Sequence, residues 1–274
     1  MKSSMRESVK QLIPPPLWRA MSQGRYAIQR AAQLPSATFH PWRRQSIRAL
    51  AAFQNLHAGN RCFIIGNGPS LRQTDLSLLK NEITFGMNRF YLAFDELGFT
   101  TTYYLSINSL VIEQCINDIL TLPMPRFLSW RSRYALPTAP DENTIFIHTT
   151  YTGPVFARDA RKRLWEGATV TYVALQLAFF MGFEQVILIG VDHNFSTKGT
   201  PNTTVVSQGD DPDHFHQGYF GKGFRWQLPD LKTSERAYRM AKNAYEQAGR
   251  QVLDATIGGK LQVFPKVEYR KLFP

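Results

Sequence analysis

Short apolar stretches that end in polar turns, separated by helical patterns, constrain the fold of this chain more than any other feature. Both faces of these stretches are apolar, which is typical of strands in a parallel sheet covered by helices on each side. The strand candidates are residues 62–65, 83–87, 102–107, 126–130, 144–148, 185–190 and 251–253, and the helix candidates are 110–120, 169–181 and 235–248. The pattern predicts an α/β, Rossmann-like fold with a mostly parallel sheet and helices on both faces.

Basic residues concentrate at the start of the 274-residue chain. Nine of them stand against a single acidic residue, Glu7, so residues 1–60 carry a net charge of +8 and the rest only +3 of the total +11. We therefore divide the chain into a basic N-terminal arm, residues 1–60, and a folded domain, residues 61–274. A nucleic-acid-binding protein should carry its positive charge across the folded surface, so nucleic acid is not expected as a partner.

The composition of the arm suits contact with a membrane surface. Prolines at 14–16, 35 and 41 should interrupt helices, and Leu17 and Trp18 stand among arginines. Basic side chains beside Trp and Leu favour an anionic lipid interface through residues 1–50, the alternative being an extension that packs on the domain. No secretory signal or membrane-spanning stretch is visible, and two cysteines make no disulfide framework. We expect a cytoplasmic protein, peripheral at the inner membrane face.

Polar side chains follow the predicted strands at the places where ligands bind in open α/β sheets. Asn67, Asn88 and Asn108 follow the first three strands, and Asp192 follows residues 185–190. Because the carboxyl ends of parallel strands lie at one edge of a sheet, these side chains should converge. An Asn side chain offers a donor and an acceptor, which suits ribose hydroxyls, base edges and phosphates. A nucleotide pocket is therefore predicted at this edge.

The first of these turns has the sequence Gly-Asn-Gly-Pro-Ser. It is neither the dinucleotide fingerprint G-x-G-x-x-G nor a Walker A loop. Its glycines allow close backbone approach, so the turn can aim N–H groups at an anion; the alternative is a plain structural turn. The predicted substrate-binding residues here are Gly66, Asn67, Gly68, Pro69 and Ser70.

The same turn resembles the opening motif of the bacterial lipooligosaccharide sialyltransferases that use CMP-sialic acid, and also that of the 6-hydroxymethylpterin diphosphokinase MptE-like proteins. Residues 88–91 (Asn-Arg-Phe-Tyr) are similar to the sialyltransferase Asn-Gln-Phe-Tyr, and residues 108–114 resemble its Asn-Pro-Ser-Leu stretch ending in Glu-Gln. Residues 189–192 (Ile-Gly-Val-Asp) resemble the end of a late helix–strand unit of that family. The resemblance covers about residues 61–250.

This resemblance implies that Asn67, Asn88 and Asn108, with the neighbouring Ser109, contact the nucleotide or the donor sugar. It also implies a metal-independent, inverting transfer that uses a His general base and phosphate-binding tyrosines. Nucleotide binding carries over to this chain more fully than the chemistry does.

Three departures from the family leave the chemistry open. Only Thr169 remains of a donor-binding Thr-Ser-Gly, and Asn194 stands at the place of a phosphate-binding Tyr. The family's His-Tyr-x-Gly-His becomes residues 214–219 (His-Phe-His-Gln-Gly-Tyr). His214 fits the first histidine, and the second, catalytic one has no counterpart unless His216 takes its place.

The segment 192–226 is long, polar and dense in functional side chains, and we interpret it as an active-site lid. A transferase needs a base for the acceptor hydroxyl, and histidine titrates near neutral pH. His214 is the first candidate base and His216 the second, the alternative being that both are only loop hydrogen-bonders. Donors for the departing phosphate are expected to be Tyr219, Lys222 and Arg225.

A metal site is the rival interpretation of this segment. Asp192 and the histidines at 193, 214 and 216 include types that bind Zn²⁺ or Mn²⁺, and the aspartates at 210, 211 and 213 are of a type that binds Mg²⁺. Their spacing matches no compact zinc motif. A diphosphokinase would hold Mg²⁺ on ATP phosphates with Asp192 and one loop aspartate. Asp192 can equally be a structural cap at its strand end.

These patterns together predict a nucleotide-sugar-binding domain over residues 61–274 and a sialyltransferase-like glycosyltransferase. It would move a sugar from a CMP-linked donor to a surface-glycan acceptor, with inversion and without a metal or other cofactor. The alternatives are an MptE-like, Mg-ATP-dependent pyrophosphotransferase and a nucleotide-binding protein without chemistry. The sequence leaves open the sugar, the acceptor, the linkage and whether the chain forms a homo-oligomer.

Overall fold

The computed structural model describes residues 15–197, 199–209 and 211–274. Residues 1–14, Lys198 and Asp210 lie outside it, so the expectations for Pro14 and for Asp210 as a metal ligand fall on positions that the structure does not describe.

Eight parallel strands form one sheet, in the order β10-β7-β1-β2-β3-β4-β5-β6. Their bounds are β1 Arg61–Ile65, β2 Thr84–Met87, β3 Tyr103–Ser106, β4 Arg126–Ser129, β5 Thr144–Thr150, β6 Arg163–Trp165, β7 Gln185–Ile189 and β10 Gln251–Asp254. A small antiparallel hairpin, β8 Thr204–Val206 and β9 Arg225–Gln227, lies inside the segment expected to be a loop. The predicted Rossmann-like α/β fold is confirmed.

Helices cover both faces of this sheet. They are α1 Pro15–Phe39, α2 Pro41–Phe53, α3 Phe94–Leu97, α4 Ser109–Thr121, α5 Val170–Met181 and α6 Leu231–Gln247, with short 3₁₀ turns at Pro69–Gln73, Leu76–Leu79, Phe90–Ala93, Trp130–Ala135 and Tyr269–Leu272. Each predicted strand and helix lies within a few residues of its expected bounds, and β6, β8 and β9 were not predicted.

The central helix α5 is buried along almost its whole length, which explains why its sequence is apolar on every side. Thr169 caps its N-terminus by accepting a hydrogen bond from the Thr171 N–H. Gly182 ends it in the left-handed conformation with φ of +95°. These two caps fix the direction in which the first turn of α5 faces.

The N-terminal segment is helical where proline breaks were expected. Pro35 lies inside α1, and the helix continues to Phe39. The lost backbone hydrogen bond is offset by packing, because Ala37 is buried and the Trp130 indole donates to Ser36 Oγ at 3.2 Å. The expectation that Pro35 ends a helix is therefore wrong.

Helix α2 lies directly on the sheet. Ser46 Oγ accepts from the Phe146 N–H of β5 at 2.9 Å, and the Leu50 side chain is fully buried. Residues 41–53 therefore pack on the sheet, and the domain boundary at residue 60 stays a prediction. No helix in the described ranges is both long and apolar enough to cross a bilayer.

The chain reverses its direction of progress across the sheet beside β1. Strands β2 to β6 follow on one side of β1, whereas β7 and β10 lie on the other. Such a reversal leaves a crevice at the carboxyl ends of the adjacent strands, because their connections leave in opposite directions. The architecture thus places a crevice where the polar strand ends were predicted to meet.

Candidate functional site

A cavity of about 550 Å³ opens at the carboxyl edge of the sheet beside the β1–β7 crevice. Its walls come from the ends of β1, β2, β3, β6 and β7, from the first turns of α4, α5 and α6, and from the segment after β7. Nine residues predicted for the site line it: Gly66, Asn67, Gly68, Asn88, Asn108, Thr169, Asp192, His214 and Tyr219.

The three asparagines meet in this cavity, but each is in a different bonding state. The buried Oδ1 of Asn67 has no hydrogen-bond partner in the part of the chain that the structure describes. Asn88 Oδ1 accepts from Ser106 Oγ at 3.1 Å, and Asn108 Oδ1 caps α4 by accepting from the Leu110 N–H at 3.0 Å. A buried acceptor without a partner is costly, so Asn67 is the amide that most needs a donor from a ligand.

The glycine turn serves the protein rather than an anion. The Gly66 N–H donates to Ile189 O at 2.7 Å and the Gly68 N–H to Gly190 O at 2.9 Å. A Cβ at Gly66 would lie 2.1 Å from Gly190 O, so the glycine permits the β1 and β7 turns to touch. The expectation that these N–H groups point at an anion is not supported, and the alternative of a structural turn describes them.

Asp192 joins the same two turns from the other side. Its Oδ1 accepts from the Ser70 N–H at 3.1 Å and its Oδ2 from Ser70 Oγ at 2.7 Å. Burial raises the pKa of the Asp192 carboxyl, and the bonds from Ser70 oppose that rise. Asp192 thus links the end of β7 to the turn after β1, and it also lines the cavity. Pro69 and Ser70 do not line the cavity.

His214 is held in the cavity wall by a carboxylate. Its Nδ1 lies 2.8 Å from Asp211 Oδ1 and 2.9 Å from Asp211 Oδ2, and Asp211 also accepts from the Phe220 N–H at 3.2 Å. The imidazole stacks on the Tyr219 ring with centroids 4.0 Å apart and planes 6° from parallel. Burial raises the pKa of Tyr219. A carboxylate on one nitrogen and a stacked ring leave the imidazole with a single orientation.

Besides Pro69 and Ser70, four predicted residues lie outside the cavity lining. His216 accepts from the Gly218 N–H at 3.1 Å, and Ser109 Oγ accepts from Ser132 Oγ at 3.3 Å. Arg225 is half-exposed and pairs with Glu113 at 3.7 Å, and Lys222 is exposed near Gly209 in the connection between β8 and β9. Both basic side chains are exposed and neither lines the cavity, so their role as phosphate donors stays a prediction.

His193 is a second cavity histidine, which the predicted site did not include. Its Nε2 lies 3.4 Å from Glu235 Oε1 of α6, and its backbone is left-handed with φ of +54°. Desolvation lowers the pKa of His193, and Glu235 opposes that change. Its position next to Asp192 at the end of β7 was the available sequence signal.

Glu166 also lines the cavity and is almost fully buried. It pairs with Arg131 and accepts from Thr149 Oγ1 at 2.6 Å. Burial raises the pKa of Glu166, while Arg131 and Thr149 lower it. Because Glu166 follows β6, a strand that the sequence did not predict, its place in the cavity could not be foreseen.

The charge of the cavity lining is unusual for a phosphate site. No Lys or Arg occurs among the described lining residues, whereas four carboxylates do: Glu166, Asp192, Asp213 and Asp230. Asp213 accepts from the Ser196 N–H at 2.6 Å, and Asp230 caps α6 through Thr233. Within the described ranges, no three His, Cys, Asp or Glu side chains are grouped so that they could hold a metal ion.

The comparisons with known proteins place this chain in a family. Residues 41–198, more than half of its length, match the family described as 6-hydroxymethylpterin diphosphokinase MptE-like, and the chain belongs to that family. The expected likeness to MptE-like proteins is confirmed; the likeness to sialyltransferases stays a prediction. No curated protein matches the chain.

Among solved structures, the chain is similar to the MAf glycosyltransferase from Magnetospirillum magneticum AMB-1, with 14% identity and a TM-score of 0.45. The match covers 94% of this chain and 43% of that protein. This chain therefore spans less than half the length of that enzyme.

Proposed function

We propose that this protein is a glycosyltransferase that uses a nucleotide-activated sugar, with His214 as the base that deprotonates the acceptor hydroxyl. The observation that carries the proposal is the cavity itself, which brings the His214–Asp211 pair together with the unpartnered Asn67 Oδ1. A positioned base and a polar pocket beside it are the two parts that such a transfer requires.

Asp211 fixes the way in which His214 can act. With Nδ1 held by the carboxylate, Nε2 is the nitrogen left to take a proton. The acceptor oxygen attacks the anomeric carbon on the face opposite the nucleotide, and its proton passes to His214 Nε2. The bond from that carbon to the phosphate oxygen breaks, and its electron pair leaves with the nucleotide. One displacement of this kind inverts the anomeric centre.

The lining charge favours a donor with one phosphate over a donor with two. Without Lys or Arg among the described lining residues, the leaving phosphate is stabilised by amide groups and by the first turn of α5, whose Val170 and Thr171 line the cavity. These groups offset less negative charge than a cation does. A CMP-linked donor therefore suits the cavity better than a UDP- or GDP-linked one.

A pyrophosphate transfer from Mg-ATP is the second candidate function, and the family match favours it. Such an enzyme would hold Mg²⁺ through Asp192, a cavity carboxylate at the end of β7, because Mg²⁺ binds in such sites through one or two carboxylates and the substrate phosphates. Bound Mg²⁺ would supply the positive charge that the lining lacks. A third candidate, nucleotide binding without chemistry, predicts that no histidine variant changes any rate.

Nucleotide binding is tested first, by thermal shift of the full chain with CMP, CDP, UDP, GDP, ATP and Mg-ATP. A ligand at about 100 times its Kd adds about 2.7 kcal/mol of stability. Stabilisation by CMP supports the glycosyl transfer, and stabilisation by Mg-ATP alone replaces it with the second candidate. Addition of EDTA separates the two again, because it should abolish only the pyrophosphate transfer.

The role of His214 is tested with CMP-linked sugars, by measuring release of CMP in the presence of acceptor. His214→Gln should lower kcat by about 10²–10⁴-fold while leaving CMP affinity within a small factor. His216→Gln is the matched control, because that histidine lies outside the cavity lining. A His214→Gln protein with unchanged kcat would refute the assignment of the base.

The proposed acceptor is a surface glycan carried on lipid, and the exposed face of α1 supports membrane contact. Leu17, Met21 and Ile28 are all more than half exposed on this helix, beside Arg25. Apolar side chains next to arginines suit the surface of an anionic bilayer. Serine at all three apolar positions should weaken sedimentation with phosphatidylglycerol vesicles without changing CMP affinity. Equal sedimentation of the variant and the wild type would remove the membrane contact.

A further inference from the structure

Three arginines and a histidine lie together beneath α1 and α2, against the outer strands β5 and β6. Arg30 comes from α1, Arg43 from α2, His148 from β5 and Arg163 from β6. His148 and Arg163 are register partners in the sheet. We call these four residues the basic cluster; none of them lines the cavity described above.

Arg43 is the centre of the basic cluster. Only 1% of it is exposed, and its Nη2 donates to Arg161 O at 2.7 Å. Its Nε and Nη1 have no hydrogen-bond partner among the described residues. Burial lowers the pKa of Arg43 to about 10. A buried guanidinium with two unused donors is destabilising unless an acceptor reaches it.

The neighbours of Arg43 add positive charge instead of neutralising it. Arg163 Nη1 donates to Gly153 O at 2.8 Å and Arg30 Nη1 to Thr152 Oγ1 at 2.9 Å, both on the loop after β5. His148 is 4% exposed, and its Nε2 has no hydrogen-bond partner within the described ranges. Among the ion pairs of the described residues, none includes Arg30, Arg43 or Arg163.

Two other arginines with little exposure, Arg126 and Arg131, have a carboxylate partner that neutralises their charge. Arg126 is as buried as Arg43 and pairs with Asp141, and Arg131 pairs with Glu166. Arg43 has a neutral backbone carbonyl in place of a carboxylate. The contrast indicates that the negative charge for the basic cluster comes from a group other than the residues that the structure describes.

We propose that the basic cluster binds a phosphate group, through the Nε and Nη1 of Arg43 and the Nε2 of His148, with Arg30 and Arg163 beside it. These donors come from α2 and β5, and the positive charges of Arg43 and Arg163 act on His148, which suits the several oxygens of a tetrahedral oxyanion. The phosphate belongs either to a soluble phosphorylated compound or to a phospholipid headgroup. Arg30 and Arg163 are the partly exposed members of the basic cluster, so a phosphate from either source would approach past them.

The experiment measures the melting temperature of the full chain at increasing concentrations of inorganic phosphate or pyrophosphate. Chloride at the same ionic strength is the reference. The wild type should be stabilised in a saturable way by phosphate and not by chloride. Arg43→Met keeps the length and packing of the side chain but removes its donors. It should weaken phosphate binding by about tenfold or more, and without phosphate it should melt no lower than the wild type.

Arg44→Met is the matched control, because Arg44 is the exposed arginine next to Arg43 on the same helix. It removes the same formal charge and should leave the phosphate effect unchanged. Should Arg43→Met fail to fold, the phosphate-dependent stabilisation of Arg163→Gln is compared with that of the wild type instead. Absence of saturable phosphate stabilisation in the wild type, or an equal effect in Arg43→Met, overturns the proposal.

Vesicles distinguish the two sources of the phosphate. Loss of sedimentation with phosphatidylglycerol vesicles in Arg43→Met, but not in Arg44→Met, assigns the basic cluster to a headgroup. Unchanged sedimentation together with a lost phosphate effect assigns it to a soluble phosphorylated ligand.

Discussion

Replacing Gly68 with alanine tests the contact between the β1 and β7 turns on which the cavity depends. The backbone at Gly68 has a φ of −72°, which alanine adopts freely, so the penalty is steric. The new Cβ would lie 1.9 Å from Asp192 Oδ2 and 2.9 Å from Gly190 O. Asp192 must retreat to an ordinary contact of at least 3.4 Å, and its 2.7 Å bond from Ser70 Oγ is then lost.

The expected loss has two parts. A hydrogen bond to a charged group contributes about 1.5–3 kcal/mol, and overpacking costs about 1–3 kcal/mol. We therefore expect Gly68→Ala to lower the free energy of unfolding by about 3–5 kcal/mol, measured by urea denaturation. Gly221→Ala is the control, because a Cβ there meets nothing within 4 Å, and its effect should stay within about 0.5 kcal/mol.

A double-mutant cycle separates the clash with Asp192 from any general effect of the extra methyl group. In an Asp192→Ala background only the contact with Gly190 O remains, so the cost of Gly68→Ala should fall to about 1–2 kcal/mol. An equal cost in both backgrounds would refute the reasoning that the glycine makes room for the carboxylate.

Three further predictions concern single side chains. Burial and neighbouring arginines lower the pKa of His148 to about 4. Because the unfolded chain takes up this proton near pH 6.5 and the folded chain only near pH 4, the folded state loses stability as the pH falls from 6.5 toward 4. Wild-type protein should therefore lose about 3 kcal/mol more than His148→Gln across that range in phosphate-free urea titrations, and parallel pH profiles would contradict this. Asn67→Ala should weaken CMP binding by about 1–3 kcal/mol in calorimetry without destabilising the free protein, since it removes an unpartnered acceptor; unchanged affinity would place the nucleotide elsewhere. Glu166→Ala should cost about 3–5 kcal/mol of unfolding free energy because it leaves Arg131 without its buried partner, and a melting temperature equal to that of the wild type would contradict the pairing.

The sheet and the meeting of the asparagines could be predicted from the sequence, because both follow from local patterns. An apolar strand ending in a polar residue defines where that residue lies in a parallel sheet. Asn67, Asn88 and Asn108 accordingly line one cavity, although they are separated in the chain. The continuous apolar run also located α5, because Thr169 and Gly182 mark its two ends.

Side-chain direction in the segment after β7 could not be predicted, because tertiary contacts set it. Arg225 belongs to a short hairpin whose backbone is bonded to Gln114 of α4, and this contact turns its side chain outward. His193 pairs with Glu235, which lies on a helix far along the chain. The charge imbalance of the arm was visible in the sequence, whereas the burial of Arg43 depends on how α2 lies on β5.

The position of β1 has a consequence for how the protein is made. β1 hydrogen-bonds to β7 along its whole length, although β7 is synthesised more than a hundred residues later. A nascent chain that has left the ribosome up to α4 carries all three asparagines but only one flank of the crevice, and it exposes an unpaired edge of its central strand. Small-molecule ligands of the cavity can therefore stabilise the chain only after β7 has been synthesised. Until then, chaperones or fast synthesis must keep the unpaired edge of β1 from aggregating.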